Sequence, residues 1–445
     1  MFLKKILLYI ISFVLCLGVF AQTTTIKFSI PDYSNSEILF CSQFGDNAKI
    51  IDTIYTNTDG EAVYQSKNLT PGVYRLFFND DKEFDLIVNE TEISVSLISA
   101  MPVESMQVVK SAENKMFYQF INKNKSFDKQ IDVLLGFMAK YPKGNLYTEV
   151  EKEYANVIEA RKNFVEQLIS KKPNSLAARI IKYSQNPIFP LDVVKAGTEM
   201  QYLKANYFNI YPCDDEDLIY TPVYSSIIID YLKLYSVPNN YEASVNGFYS
   251  AATKLMDQTA GNEKINSHFL KILINGFESL QLFDLADKLV ANYGKQCLSA
   301  DNMAIRYKNV TELKLGTKAP VLFIQNKKSE PEAYEFTRKT LVVFWATWCD
   351  HCRQIVPNLN YIVESGKIKN TDIVLISLDS DRNDLKRFIK EANISIPISC
   401  DYLSWEGVNA KNYAIYATPY YYIIDETGKI IAKPNDYREL MELIN

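Results

Sequence analysis

Apolar and polar positions alternate along the first part of the chain. Ile93, Val95 and Leu97 alternate with polar residues, Val73 to Phe78 is rich in β-branched and aromatic side chains, and Asp59-Gly60 and Pro71-Gly72 are turn dipeptides. A period of two with such punctuation predicts strands that bury one face and turn the other to solvent or to a neighbouring domain. Residues 22–105 are therefore expected to form a small β-sandwich-like domain.

The period then lengthens. Ile131, Leu134, Leu135 and Met138 recur at helical spacing, as do Ile265, Phe269, Ile272 and Leu273, and Leu146 to Ser170 contains neither proline nor a turn cluster. This predicts an α-helical domain over 106–310, broken into several helices at Pro173-Asn174, Pro187, Pro190, Pro212 and Pro238-Asn239-Asn240. Leu282 to Gly294 reads as one helix of a stacked pair, although no clean repeat period is visible. A third pattern begins near residue 311. Leu341 to Ala346 is an unbroken apolar run, the mark of a central strand buried on both faces, and the residues after it start an amphipathic helix.

At the N-terminus, Lys4 and Lys5 precede an apolar run from Ile6 to Phe20 that ends in Val19-Phe20-Ala21. A short positive region, an apolar stretch short for spanning and small residues before a polar start predict a signal peptide over 1–21, cut after Ala21. Lipoprotein processing at Cys16 is disfavoured, because Leu15 stands where a small residue is needed. The later sequence holds no run of the ~20 apolar residues that a membrane helix needs.

A chain of 445 residues is too long for one core, and 47% hydrophobic with 23% charged residues fits several folded domains. The net charge of −5 offers no basic field for nucleic acid or an anionic membrane surface. Asp214-Asp215-Glu216-Asp217 lacks the spaced ligands and glycine of a calcium loop and reads as solvated loop. His268 is expected as a helical residue rather than a metal ligand. No metal site and no cofactor is predicted.

Of seven cysteines, Cys41, Cys213, Cys297 and Cys400 are too scattered for a disulfide framework and read as buried or incidental thiols. Cys349 and Cys352 alone form a pattern. Cys349 falls where the apolar strand gives way to a helix, and there free amides and the helix dipole favour a thiolate. Cys352, one turn on, faces the same side and can attack a mixed disulfide formed at Cys349, so the pair can cycle between dithiol and disulfide. A zinc site would need two further ligands that this sequence does not supply.

Phe344-Trp345-Ala346-Thr347-Trp348-Cys349-Asp350-His351-Cys352, with Pro357 beyond it and Ala417-Thr418-Pro419 before the apolar Tyr420 to Ile424, resembles the thioredoxin superfamily. It is most similar to the TlpA and ResA branch. The resemblance implies an α/β thioredoxin-like fold for 311–445 and a redox-active disulfide between Cys349 and Cys352. It also implies a cis Pro419 facing the cysteines, with Thr418 offering backbone to an extended substrate beside Trp348 and Asp350. Without the resemblance, Pro419 would be read as a trans turn proline. Strands at Ile373 to Leu378 and Tyr420 to Ile424, a helix at about Asp384 to Ala392, and a further strand and helix around Ile396 to Tyr413 fit that branch.

Two departures stand out. Thioredoxins carry a buried aspartate where this chain has Val343, and ResA-like members carry a glutamate where it has Ile355; both are implicated in moving the resolving thiol's proton. His351 stands where the strongly oxidising DsbA proteins also have histidine, which implies a potential above the ~−270 mV of thioredoxin, with Asp350 opposing it. The multidomain chain is thus expected to be an exported, periplasmic or envelope thiol:disulfide oxidoreductase, with protein thiols and disulfides as substrates and a redox protein as partner. The alternatives are an envelope binding protein with an accessory redox unit and a peroxiredoxin-like peroxidase, for which Thr347 to Cys349 has the wrong spacing.

Overall fold

The computed structural model describes residues 23–44, 47–78, 82–298, 302–325, 330–368 and 370–444. The expected signal peptide and its cut after Ala21 lie outside them. No helix among the described residues is long and apolar enough to cross a membrane. The chain divides into two compact units, the first ending at Ala251 and the second beginning at Ala252, so the helices expected as one domain over 106–310 are shared between them.

The first unit opens with β1 (Thr24–Ser29), β2 (Glu37–Phe44), β3 (Asn47–Tyr55), β4 (Glu61–Ser66), β5 (Gly72–Phe77), β6 (Glu83–Val88), β7 (Glu92–Ser96) and β8 (Gln107–Lys110). They form two four-stranded sheets, ordered β4-β1-β7-β8 and β3-β2-β5-β6. Their inward residues, among them Ile26, Phe28, Ile38, Phe40, Leu76, Leu86, Ile93 and Val95, share one core. The alternation read along 93–97 is this inward set. Gly60 makes the turn before β4 possible: its φ is +74°, and a Cβ there would lie 2.0 Å from the Ile30 carbonyl oxygen.

Helices follow: α1 (Ala112–Lys140), α2 (Asn145–Ile169), α3 (Leu176–Tyr183), α4 (Leu191–Ala196), α5 (Glu199–Ile210), α6 (Val223–Lys233) and α7 (Tyr241–Thr259). The prolines that the sequence marked as breaks fall between them. Ser111 caps α1 by accepting from the Asn114 amide, and Asn114 in turn pairs both ways with the backbone of Ile87 on edge strand β6. One side chain thereby satisfies strand groups that would otherwise stand open at the sheet edge. The acidic run is partly neutralised by Arg179, 3.2 Å from Asp215 and 2.7 Å from Asp217.

The second unit holds α8 (Glu263–Ser279), α9 (Phe283–Tyr293) and α10 (Met303–Glu312), a short hairpin of β9 (Phe323–Gln325) and β10 (Pro331–Ala333), and a five-stranded sheet. The sheet is built from β11 (Thr340–Trp345), β12 (Asp372–Ser377), β13 (Ile398–Ser399), β14 (Tyr420–Ile424) and β15 (Ile430–Ala432), in the order β13-β12-β11-β14-β15. Central β11 runs parallel to β12 and antiparallel to β14.

Every residue of β11 is buried. Leu341, Val343 and Trp345 enter the core under α11 (Asp350–Glu364), α12 (Arg382–Glu391) and α14 (Tyr437–Ile444), whereas Val342 and Phe344 enter a second core with Tyr413, Ile415 and Tyr422. A strand with a core on each face must be apolar throughout, which is the unbroken run read in the sequence. The strand and helix expected around Ile396 to Tyr413 are slight: two-residue β13, a 3₁₀ turn at Ser404–Glu406 and the five-residue α13 (Val408–Asn412).

Candidate active site

The site sits where β11 ends and α11 begins. Cys349 is the N-cap of α11: its extended backbone ends the loop, and its sulfur takes the place of the usual capping oxygen. The Cys352 amide donates to Cys349 Sγ at 3.3 Å, and the Cys349 thiol lies 3.4 Å from the Thr418 carbonyl oxygen, which accepts from it. The sulfur is thus held between an amide donor and a carbonyl acceptor.

Cys349 is half-buried, whereas Cys352 is fully buried on the core side of the helix. Burial, and then the Cys349 sulfur beside it, push the Cys352 thiol well up from its ordinary value. The two thiols are free, and their difference in exposure gives them different chemistry: one can meet an incoming disulfide, the other can reach only its neighbour.

The Thr418-Pro419 bond is cis and its loop faces Cys349 through the Thr418 carbonyl. Trp348 is 53% exposed, and its ring lies 5.8 Å from that of Trp405, itself 38% exposed. Asp350 and His351, in the first turn of α11, are exposed and make no side-chain hydrogen bond or ion pair among the described residues. All seven residues singled out in the sequence therefore lie at this corner or on the loop facing it. Val343 and Ile355 pack into the core beneath α11, where the family has carboxylates.

The loop is fastened from below by a residue that sequence reasoning missed. Asp379, 2% exposed just beyond β12, accepts from the Thr347 amide at 3.1 Å on each oxygen, from the Thr347 hydroxyl at 2.5 Å and from the Ser377 hydroxyl at 2.7 Å. Thr347 stands two residues before Cys349, so this carboxylate fixes the approach to the helix. The Arg353 guanidinium closes the turn by donating to the Thr347 carbonyl at 3.3 Å. The available signal was the pair of polar residues Ser377 and Asp379 closing a strand that runs parallel to β11 and finishes at the same end.

Of the remaining cysteines, Cys41, Cys213, Cys297 and Cys400 are buried free thiols, each pushed up by burial. His268 is buried in α8, where burial lowers its imidazole to about 4.

A dithiol spaced by one helical turn, capping the helix that follows a central strand and facing a cis-proline turn, defines a thioredoxin-like thiol-disulfide oxidoreductase. The family model described as the AhpC/TSA family matches residues 315–433. Thiol-disulfide oxidoreductase ResA of Bacillus cereus (strain ATCC 10987 / NRS 248) is 30% identical over 125 residues, covering 27% of this chain and 69% of that protein. Thioredoxin-like protein YneN of Bacillus subtilis (strain 168) is 28% identical over 119 residues, 26% of this chain and 68% of that one. Among solved structures, a thiol-disulfide oxidoreductase from Bacteroides fragilis NCTC 9343 is 32% identical with a TM-score of 0.26, covering 28% of this chain and 96% of the other. Through its C-terminal part, the chain belongs to the ResA-like family of thiol-disulfide oxidoreductases.

Proposed function

We propose that this protein is an exported enzyme that exchanges disulfides with protein thiols through Cys349 and Cys352, in the periplasm or cell envelope. The observation that carries this reading is the Cys349 sulfur, half-exposed at a helix N-terminus between the Cys352 amide and the Thr418 carbonyl. Cys349, as thiolate, attacks one sulfur of a client disulfide; that S–S bond breaks, a mixed disulfide forms, and the departing client sulfur takes up a proton. Cys352 loses its proton and attacks the Cys349 sulfur, which releases the second client thiol and leaves the Cys349–Cys352 disulfide. The client has gained two electrons and the enzyme has lost them; a redox partner protein returns them, or the sequence runs in reverse. Trp348, Asp350, Thr418 and Pro419 form the bed for an extended client segment, and His351 tunes the potential.

A Cys352→Ala variant cannot resolve the mixed disulfide and should accumulate clients on Cys349. Mass spectrometry of the trapped species from the native compartment tests the reading. Discrete protein partners are expected, and an empty trap with an unreactive Cys349 would overturn it. The AhpC/TSA description favours peroxidase activity as the second reading. Against it, the Thr347 hydroxyl is engaged by Asp379 rather than by the cysteine, and peroxide consumption by the reduced protein separates the two.

A further inference from the structure

The family match begins at residue 315, yet the loop that faces the cysteines is held from outside it. Thr418 and Pro419 are bracketed by two tyrosines, Tyr416 and Tyr420, whose rings lie 5.5 Å apart. Each is engaged by a residue of α10. The Arg306 guanidinium lies 5.0 Å from the centre of the Tyr416 ring, and it is itself held by Glu278 of α8 at 2.5 Å and faced by Asp287 of α9 at 3.8 Å. The Tyr420 hydroxyl donates to Asn309 Oδ1 at 2.8 Å.

Asn309 is fully buried and its amide is saturated. Its oxygen also accepts from Lys433 at 2.6 Å, and its nitrogen donates to the Tyr422 hydroxyl at 2.7 Å and to the Ala414 carbonyl at 3.1 Å. Lys433 reaches the backbone carbonyl of Asn309 as well, at 3.2 Å. Around Asn309 the buried polar groups are paired, so a shift there strands a donor or acceptor away from water. The guanidinium over the Tyr416 ring adds a cation–π contact whose delocalised, planar head a lysine would not reproduce. Three helices ahead of the thioredoxin-like unit therefore anchor both ends of the Tyr416–Tyr420 loop, and the carbonyl in the middle of that loop is the one that meets Cys349.

We propose that Arg306 and Asn309 are positioning residues for disulfide exchange: acting through Tyr416 and Tyr420, they set the Thr418-Pro419 backbone against which an extended client lies. The segment Glu263–Glu312 is then part of the redox module. This rests on the exchange reading above and assigns that reaction a specificity for extended polypeptide over small disulfides.

The test compares two disulfides on the full chain. One is a peptide with an intramolecular disulfide in an extended segment; the other is hydroxyethyl disulfide, too small to use the loop. Tyr420→Phe removes only the hydroxyl that meets Asn309, and Arg306→Lys keeps the charge but not the plane. Each should lower kcat/KM for the peptide by about tenfold, mainly through KM, since small misplacements of a binding surface are costly. Hydroxyethyl disulfide should react as with the wild type. Wild-type peptide kinetics in both variants would overturn the proposal, and so would equal losses on both disulfides with a lowered Tm, which is the mark of a purely structural role. A wild-type protein that exchanges with neither disulfide would instead remove the exchange reading and this inference with it.

Discussion

Cys213 and Cys349 are both cysteines outside regular strands, and they show how placement decides reactivity. Cys213 in the first unit is buried, its thiol donating to the Tyr211 carbonyl at 3.2 Å, and burial pushes it up to about 12. Cys349 in the second unit also meets a carbonyl, that of Thr418, but it has an amide donor on its other side and is open to solvent on one face. A carbonyl alone stabilises the protonated thiol, whereas an amide at a helix N-terminus stabilises the thiolate. On the proposed reading, the reactive sulfur is the one that a strand-to-helix corner supplies with both.

The largest expected effect breaks this comparison directly. Cys349→Ser should reduce disulfide exchange to background, whereas Cys213→Ala should leave the exchange rate intact and cost only stability, on the order of 1–2 kcal/mol. Insulin-type reduction assays beside denaturant melts read both. Exchange surviving in Cys349→Ser would mean that another thiol is the nucleophile.

Asp379 and Asp217 extend the contrast to carboxylates. Asp379 is buried with three donors on it, so Asp379→Ala strands the Thr347 amide and hydroxyl without water and leaves the Ser377 hydroxyl only the backbone amide of residue 379; about 1–3 kcal/mol is expected for each group left unpaired. Asp217 meets Arg179 in a largely exposed pair, and Asp217→Ala should cost ~0–1 kcal/mol. Asp379→Ala should also slow exchange, because the loop before Cys349 loses its anchor. A melt in which the two variants cost the same would show that the Asp379 network adds nothing beyond a surface pair.

These two carboxylates also mark what could be read from the chain. The Thr418-Pro419 pair was legible only through the family resemblance, whereas the apolar run at 341–346 and the cysteine spacing were legible because each is local: burial on both faces and one helical turn are written in neighbouring residues. The strand at Tyr420 to Ile424 was read to the residue for the same reason. The helix expected from about Asp384 begins at Arg382 because Asp381 caps it, accepting from Asn383 and Asp384. Asn309 was not legible, because its partners stand far along the chain and nothing in its own neighbourhood distinguishes it from a solvated polar residue, and Asp379 left only the faint signal of a polar strand end. The slight β13 differs from a full strand because only Ile398 and Ser399 pair with β12.

Cys349 and Cys352 offer a finer contrast, through pH. Burial raises Cys352, so in the mixed disulfide its thiolate is scarce at neutral pH and becomes more abundant as pH rises. Resolution should therefore accelerate with pH beyond ~8.5, where an ordinary thiol would already be levelling off. The sign for stability runs the other way. A thiol raised in the folded state keeps its proton while the unfolded chain loses one, so this contribution is present below the unfolded value and declines as pH climbs above it. Stopped-flow resolution rates with a preformed mixed disulfide check the first statement, and a plateau at or below pH 8.5 would show that Cys352 is not held up by its surroundings.

The smallest expected effect concerns His351 set against the buried groups of the same helix turn. An imidazolium beside the Cys349 thiolate would stabilise the reduced form and raise the potential, but His351 and Asp350 are both exposed. Two unit charges ~4 Å apart in water interact by only ~1 kcal/mol. At ~30 mV per 1.4 kcal/mol for a two-electron couple, His351→Ala should lower the potential by about 20 mV. The measurement is an equilibrium against glutathione, run on the wild type and the variant at the same pH. A fall of several times that size would show that the histidine moves against the sulfur out of solvent; no fall at all would remove it from the redox pair. A fall of about 20 mV would leave an exposed histidine too weakly coupled to set the direction of electron flow, which would then depend on the amide and carbonyl that meet Cys349 and on the burial of Cys352.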